Sequence, residues 1–314
     1  VIKAFDSENK EISYIDLQIE FKVVSKTAAI IENIAEITED DGDDEDSTPD
    51  NKKDEEDDQD EEKIIPVVFD LALQKFITSL NDKEITDRTP TVLIKENGEI
   101  DYTHVSTPLN VANENVVTYT IRVYNEGNIS GYASVIKDDI PEGLVFLPEN
   151  ETNKTYMWKM YREVKENDDL TKVVSIGGKQ YIEVATSEEA EIIATDYYSK
   201  SNCDLRKEGP IKAYDQKVGI TNTNPDFRDV KAAFKVNEDG ITQEDRIIIN
   251  TAEITEDQDK DGKPIDDIDS VPNNDELEED DIDQEKITVK YFDLSLLKYV
   301  SQVRVTEDGK TKIT

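Results

Sequence analysis

The sequence predicts an all-β protein made of tandem β-sandwich (Ig-like) modules joined by acidic loops. Three observations carry that expectation. Short runs of alternating apolar and polar residues recur along the 314 positions, the period of half-buried strands. Turn residues separate these runs and few helical patterns intervene, which favours a sandwich. The chain also repeats itself. Ile30–Asp40 (IIENIAEITED) returns as Ile247–Asp257 (IIINTAEITED) at a shift of 217, and Phe69–Lys75 (FDLALQK) returns as Phe292–Lys298 (FDLSLLK) at a shift of 223. Ile2–Asp6 and Phe21–Val23 reappear as Ile211–Asp215 and Phe234–Val236. Such a period marks a tandem array.

In chain order, residues 1–38 read as the last part of one repeat, with strand patterns at Tyr14–Val24 and Ala29–Ile37. Residues 39–62 form a first acidic loop. A complete repeat then spans 63–255. Its clearest strands are Ile64–Leu80, Asn115–Tyr124, Tyr132–Ile136 and Leu144–Leu147, the last two separated by a Pro- and Gly-containing turn at Asp138–Gly143. Val173–Ile176, Gln180–Val184 and Glu191–Ala194 are shorter strand patterns, while Tyr156–Val164 and Asp226–Val236 read less clearly. Brief helices fit only near Glu188–Thr195 or in Tyr197–Arg206. A second acidic loop occupies 256–286, and 287–314 begin a further repeat. The chain thus reads as a window on a longer array, which also accounts for a start at Val1 without a signal peptide.

The two acidic stretches dominate the charge. Glu39–Glu62 holds 16 Asp and Glu and Glu256–Glu285 holds 15, each with only two Lys, out of a net −38. This balance excludes nucleic acid and anionic membrane as partners, because phosphate binding needs a basic face, and it points to cations. No apolar run approaches the ~20 residues that span a bilayer. Cys203 is the only cysteine, so disulfides do not staple the fold.

Two constellations carry chemistry. On the strand after the first loop, Phe69, Leu71 and Leu73 alternate, so Lys75 points to the same inward face. Asn250 follows Ile247–Ile249 and is likewise a polar group in an apolar strand. A buried, unpaired ammonium is pushed toward its neutral form. A neutral amine is a nucleophile, a neighbouring carboxamide its electrophile, and a protonated carboxyl in the same apolar site can polarise the amide and shuttle protons. The product is a Lys–Asn isopeptide bond with loss of ammonia. The opposing reading has Lys75 snorkelling to the sandwich edge and Asn250 capping a turn.

The motifs FDLALQK, Val135–Phe146 (VIKDDIPEGLVF) and IIINTAEI resemble the isopeptide-forming β-sandwich domains of Gram-positive pilins and surface adhesins. The resemblance covers the whole chain through short motifs. It implies a bond between Lys75 and Asn250, assisted by Asp138 from its spacing to Pro141, with Asp139 as the alternative. It also implies that Asn33 and Lys298 are the matching halves of flanking repeats.

The second constellation is the acidic loops. Asp257, Asp259, Asp261 and Gly262 have the D-x-D-x-D-G spacing of a calcium loop, but position twelve is Ile268 and no helix pattern flanks it, against an EF-hand. The pattern common to both loops is stronger. Asp44, Asp46 and Asn51 match Asp267, Asp269 and Asn274; Glu56, Asp57, Asp58 and Asp60 match Glu279, Asp280, Asp281 and Asp283; Asp40 matches Asp257. Hard oxygen ligands at this density suit Ca²⁺, and the lack of His and Cys argues against zinc or copper. A disordered acidic linker is the alternative, although a solvating tract has no need of fixed Pro, Asn and Ser. The loops also resemble the calcium-loaded interdomain loops of serine-aspartate-repeat adhesins. Ligation would turn a flexible hinge into a rigid joint.

The remaining signals are weak. His104 reads as a surface residue, and no nucleophilic triad, phosphate loop or Cys/His cluster can be assembled. Asn128, Asn150 and Asn153 head sequons, and Trp158, Met157, Met160 and Tyr161 read as core. The expectation is a structural, non-enzymatic repeat of an extracellular bacterial surface fibre or stalk adhesin, cross-linked by its own autocatalysis. Its partners are neighbouring repeats of the same chain and other copies in lateral or end-to-end association. The alternative is a ligand-binding adhesin module using Tyr156–Asn202.

Overall fold

Thirteen strands among the described residues fall into two facing sheets. The computed structural model describes all residues except 1, 5, 9, 11, 12, 26–28, 43, 96–99, 216, 217, 222, 243–245, 291–293, 303, 308, 309 and 314, with backbone alone from 304 onward. A hairpin of β1 (Ile31–Glu36) and β2 (Gln59–Ile64) comes first and encloses the first acidic loop. The chain continues through β3 (Leu71–Leu80), β4 (Lys83–Glu84), β5 (Thr91–Ile94), β6 (Ile100–Thr103), β7 (Leu109–Val111), β8 (Val116–Asn125), β9 (Gly131–Asp139) and β10 (Leu144–Phe146). A short helix α1 (Glu151–Thr155), β11 (Lys159–Glu163), β12 (Val173–Ile176), β13 (Lys179–Glu183), β14 (Ile192–Thr195) and α2 (Lys200–Arg206) follow. Then come β15 (Phe227–Val236), β16 (Ile247–Asp259), β17 (Ile282–Val289), β18 (Arg304–Glu307) and β19 (Lys310–Ile313).

One sheet has the order β10-β15-β8-β3-β4 and the other β12-β13-β11-β14-β9-β16-β17-β7; β5-β6 and β18-β19 are separate hairpins. The all-β, sandwich expectation holds. The core lies where inward faces meet. Leu71, Leu73 and Ile77 of β3 and Tyr119, Ile121 and Val123 of β8 pack with Ile136, Ile193, Ala252 and Ile254 from the larger sheet. Alternation along β3 and β8 puts these positions on one face, as the pleat requires. Gly143 closes the turn from β9 to β10 at φ 92°, and a Cβ there would stand 2.5 Å from Ile248 Cδ1.

Several local expectations change. Tyr14–Val24 alternates but forms no strand, and its apolar side chains are exposed; periodicity makes a strand only where a partner supplies the ladder. The Ile64–Leu80 pattern is broken between β2 and β3. Glu188–Thr195 is no helix, since Ile192 and Ile193 are β14 residues paired between β9 and β11. The less clear Tyr156–Val164 and Asp226–Val236 contain β11 and β15. β17 runs across the boundary drawn at 286/287, with Ile287 and Val289 in the module's core. Of the Phe292–Lys298 motif, Phe292 and Asp293 lie outside the described residues.

Candidate functional site

Lys75 is on β3 of one sheet, and Asp138 on β9 and Asn250 on β16 of the other. All three are fully buried. The pairing that places them is regular: Lys75 stands opposite Ile121, Asp138 opposite Ile193 and two positions along from Ile136, and Asn250 two positions before Ala252. Lys75 Nζ is ion-paired with Asp138 Oδ2. Asn250 Nδ2 donates to Asp138 Oδ1 at 2.7 Å and to the Asp139 carbonyl at 2.7 Å. Asn250 Oδ1 is buried without a hydrogen-bond partner.

Burial lowers the pKa of Lys75, with Asp138 pulling the other way. Burial pushes Asp138 up to about 6, against the pull of Lys75 and Asn250. The two shifts bring the amine and the carboxyl toward their neutral forms, as a proton-shuttling pair needs. Asp139 contributes its backbone carbonyl, while its own carboxyl is raised mainly by burial and pulled down by Lys137. Tyr119, which the sequence did not single out, lies below the pair: Lys75 Nζ is 5.1 Å from its ring centroid, and its hydroxyl is buried without a hydrogen-bond partner.

The second acidic loop is built against the edge of this site. From Leu71 to Ile77, β3 has β8 as a ladder partner on one side only. The amides on its other edge are taken by oxygens of the acidic segment. Leu71 donates to Asp267 Oδ2 (2.8 Å), Leu73 to the Asp280 carbonyl (2.6 Å), Lys75 to Asp283 Oδ2 (2.7 Å) and Ile77 to Glu285 Oε2 (3.3 Å). Arg88 grips Glu285 with Nε and Nη2 at 3.1 and 2.7 Å. Three carboxylates and one backbone carbonyl thus close the gap along this edge of β3 where a regular ladder is missing, which satisfies buried amides that would otherwise be costly.

The two loops have one architecture. Asn33 stands opposite Glu62 as Asn250 does opposite Glu285. Glu56 Oε2 accepts from Thr48 N and Asn51 Nδ2, and Glu279 Oε2 from Val271 N and Asn274 Nδ2. Asp44 and Asp267 each accept from the amide two residues on, that of Asp46 and of Asp269. Positive φ falls at Asp50 and Lys52 and again at Asn273 and Asp275. Such correspondence is a built loop and not a self-repelling tract. Asp58 and Asp281 are buried, each with both carboxylate oxygens free of hydrogen bonds.

The expected ligands do not all converge. Asp259 and Asp261 leave the D-x-D-x-D-G pattern: Asp259 Oδ1 caps the turn through Asp261 N and Lys263 N, and exposed Asp261 pairs with Lys260. Asp257 is buried beside Asp267 and Asp281. Asp40, Asp44, Asp46, Asp57 and Asp60 are exposed in the first loop. In the second, Asp70, Asp267 and Asp269, and again Asp70, Glu126 and Asp280, bring carboxylate oxygens within 4.8 Å of one another. Asp70 and Glu126 lie outside the acidic stretches and were not legible as ligands. Asn33 and Lys298 are exposed.

His104 is half-buried within the field of Asp283, and Asn153 is buried, donating to Leu147 and Ala233 carbonyls, so its sequon is structural. Trp158, Met160 and Tyr161 are core residues, whereas Met157 is exposed.

No protein-family model matches the chain, and no curated protein sequence does. Solved structures that are similar include the pilus backbone RrgB from Streptococcus pneumoniae, at 13% identity and TM-score 0.25 over 58% of this chain and 30% of that one. Another is BcpA, the major pilin subunit of Bacillus cereus, at 11% identity and TM-score 0.25 over 74% of this chain and 57% of that one. The chain therefore spans less than two thirds of either.

Proposed function

We propose that the chain is a load-bearing repeat of a bacterial cell-surface fibre or stalk, whose module cross-links itself between Lys75 and Asn250. The observation that carries this reading is the joint burial of Lys75, Asp138 and Asn250 between the two sheets, the Asp138 carboxyl contacting both partners. Neutral Lys75 Nζ attacks Asn250 Cγ. Asp138 takes a proton from the attacking nitrogen and returns one to Nδ2, which leaves as ammonia. One C–N bond forms, one breaks, and no oxidant or cofactor is consumed. The bond joins β3 to β16, so tension along the chain runs through a covalent tie.

Calcium held by the acidic loops is the second part of this reading, supported by buried carboxylates without hydrogen bonds at matching places in both loops. It would stiffen the joint between successive repeats, and neighbouring chains would associate into filaments outside the cell. The competing ligand-binding role of Tyr156–Asn202 has less support, since Trp158, Met160 and Tyr161 are spent in the core.

Intact mass of the denatured 314-residue chain tests the cross-link. A mass short by one ammonia, traced to a joined Lys75–Asn250 peptide, is the expected result. A full mass removes the self-cross-linked reading.

A further inference from the structure

The acidic loop that follows β16 has more negative charge facing the module than its hydrogen bonds use. Asp70, just before β3, and Glu126, just after β8, belong to the body of the module. Their carboxylate oxygens meet those of Asp269, Asp267 and Asp280 from the loop. Among the described residues, no Lys or Arg forms an ion pair with any of the five. The one neutral donor to Glu126 is Tyr102, at 2.6 Å. Carboxylates packed this way repel one another, and burial adds to the cost.

A second group adjoins the first through Asp267. Asp281 is 1% exposed with both oxygens lacking a hydrogen bond, and Asp257 is 7% exposed with Oδ1 lacking one. Each lies in the field of the other and of Asp267. The first loop has the same feature without a module body behind it. Asp58 has two unpartnered oxygens among Glu56, Glu36 and Asp44, the counterparts of the Glu279, Glu253 and Asp267 that surround Asp281. Buried polar atoms are normally satisfied, and here one geometry leaves them open twice. Oxygen donors alone, many of them carboxylate, define a hard divalent cation, and their number and looseness suit Ca²⁺ better than Mg²⁺.

We propose that the loop docks on the body of its own module through two Ca²⁺ ions, one held by Asp70, Glu126, Asp269 and Asp280, the other by Asp257 and Asp281, with Asp267 between them. This rests on the reading that the acidic loops bind calcium, and it assigns the ions a different task from a simple hinge splint. Asp267 also accepts the Leu71 amide, so the ions fix the entry of β3, the strand that carries Lys75. The clasp is within one module, and stiffness at the joint follows because the loop has nowhere else to go.

Calorimetric titration of Ca²⁺ into the EDTA-stripped 314-residue chain and its variants tests this. Asp70→Asn and Glu126→Gln, both outside the acidic stretches, are each expected to remove one ion per chain or weaken one site by roughly tenfold or more. Asp281→Asn removes the other. Melting in EDTA separates loss of ligation from loss of folding: Asp70→Asn should melt no lower than the unsubstituted chain, because it relieves repulsion. Should it fail to fold, Glu126→Gln carries the test. If both body variants bind Ca²⁺ as the unsubstituted chain does while Asp281→Asn is impaired, the loop binds on its own, which overturns the clasp and leaves the calcium reading standing. An unsubstituted chain that takes up no Ca²⁺ overturns both.

Discussion

Asp138 Oδ1 holds Asn250 by its amide nitrogen at 2.7 Å, leaving the amide oxygen without a partner. The nitrogen so held is the one that must leave, and the acid that holds it is the one beside the amine. Asp139, one residue on, reaches Asn250 only through its backbone carbonyl. Asp138→Ala should therefore leave the chain at full mass, and Asp139→Ala should still lose ammonia. The reverse pattern in the two intact masses would transfer the proton-shuttling role to Asp139.

The bond, once made, links positions far apart in sequence. In the chain-entropy picture, closing a loop of this size stabilises by on the order of 4–5 kcal/mol. For a module of this length that is a melting temperature higher by roughly 10–15 °C. Lys75→Ala should show that loss by calorimetry, together with full mass. A melting temperature within two or three degrees (roughly 1 kcal/mol) of the unsubstituted chain would remove the bond from any account of stability.

Without the lysine, Asp138 becomes a buried acid with no cation beside it. Burial already pushes it up to about 6 while Lys75 pulls it down, so in Lys75→Met it moves higher still. The folded state then binds the proton more tightly than the unfolded state, whose carboxyl has an ordinary value. Stability is therefore greatest below the unfolded value and is lost as pH rises through the folded one. Lys75→Met should gain about 1.4 kcal/mol or more between pH 7.5 and pH 5, relative to Lys75→Met/Asp138→Asn, in urea unfolding. The double variant subtracts the titration of the other acids. Parallel pH curves for the two proteins would count against a perturbed Asp138.

The strands of the core were legible because their periodicity is strong, and so was the inward direction of Lys75. Asn250 stood out as a polar residue after three isoleucines, and Asp138 through its spacing to Pro141. The place of β17 was hidden: its inward face includes Glu285, and a segment rich in Asp and Glu reads as solvated until Arg88 and the free β3 amides are seen to receive it. Asp70 and Glu126 were hidden for another reason. A single acid at a strand end carries no pattern, and only the fold brings these two to the loop. Tyr14–Val24 shows the opposite failure, a pattern without a partner strand.

Arg88 and Glu285 give the last test, because they lie where the loop, β3 and β17 meet. Arg88 is 4% and Glu285 1% exposed, and their contact is forked. Removing one partner of a buried pair strands the other charge, at a cost of about 3–5 kcal/mol, whereas removing both in favour of apolar groups is often nearly neutral. Glu285 complicates that rule, since its Oε2 also receives the Ile77 amide at 3.3 Å. Arg88→Met should then destabilise by about 3 kcal/mol in urea. Arg88→Met/Glu285→Met should recover part of the loss, but not the share owed to the Ile77 amide. A single variant within ~0.5 kcal/mol of the parent would mean that the β3–β17 gap is held by the carboxylate–amide bonds alone.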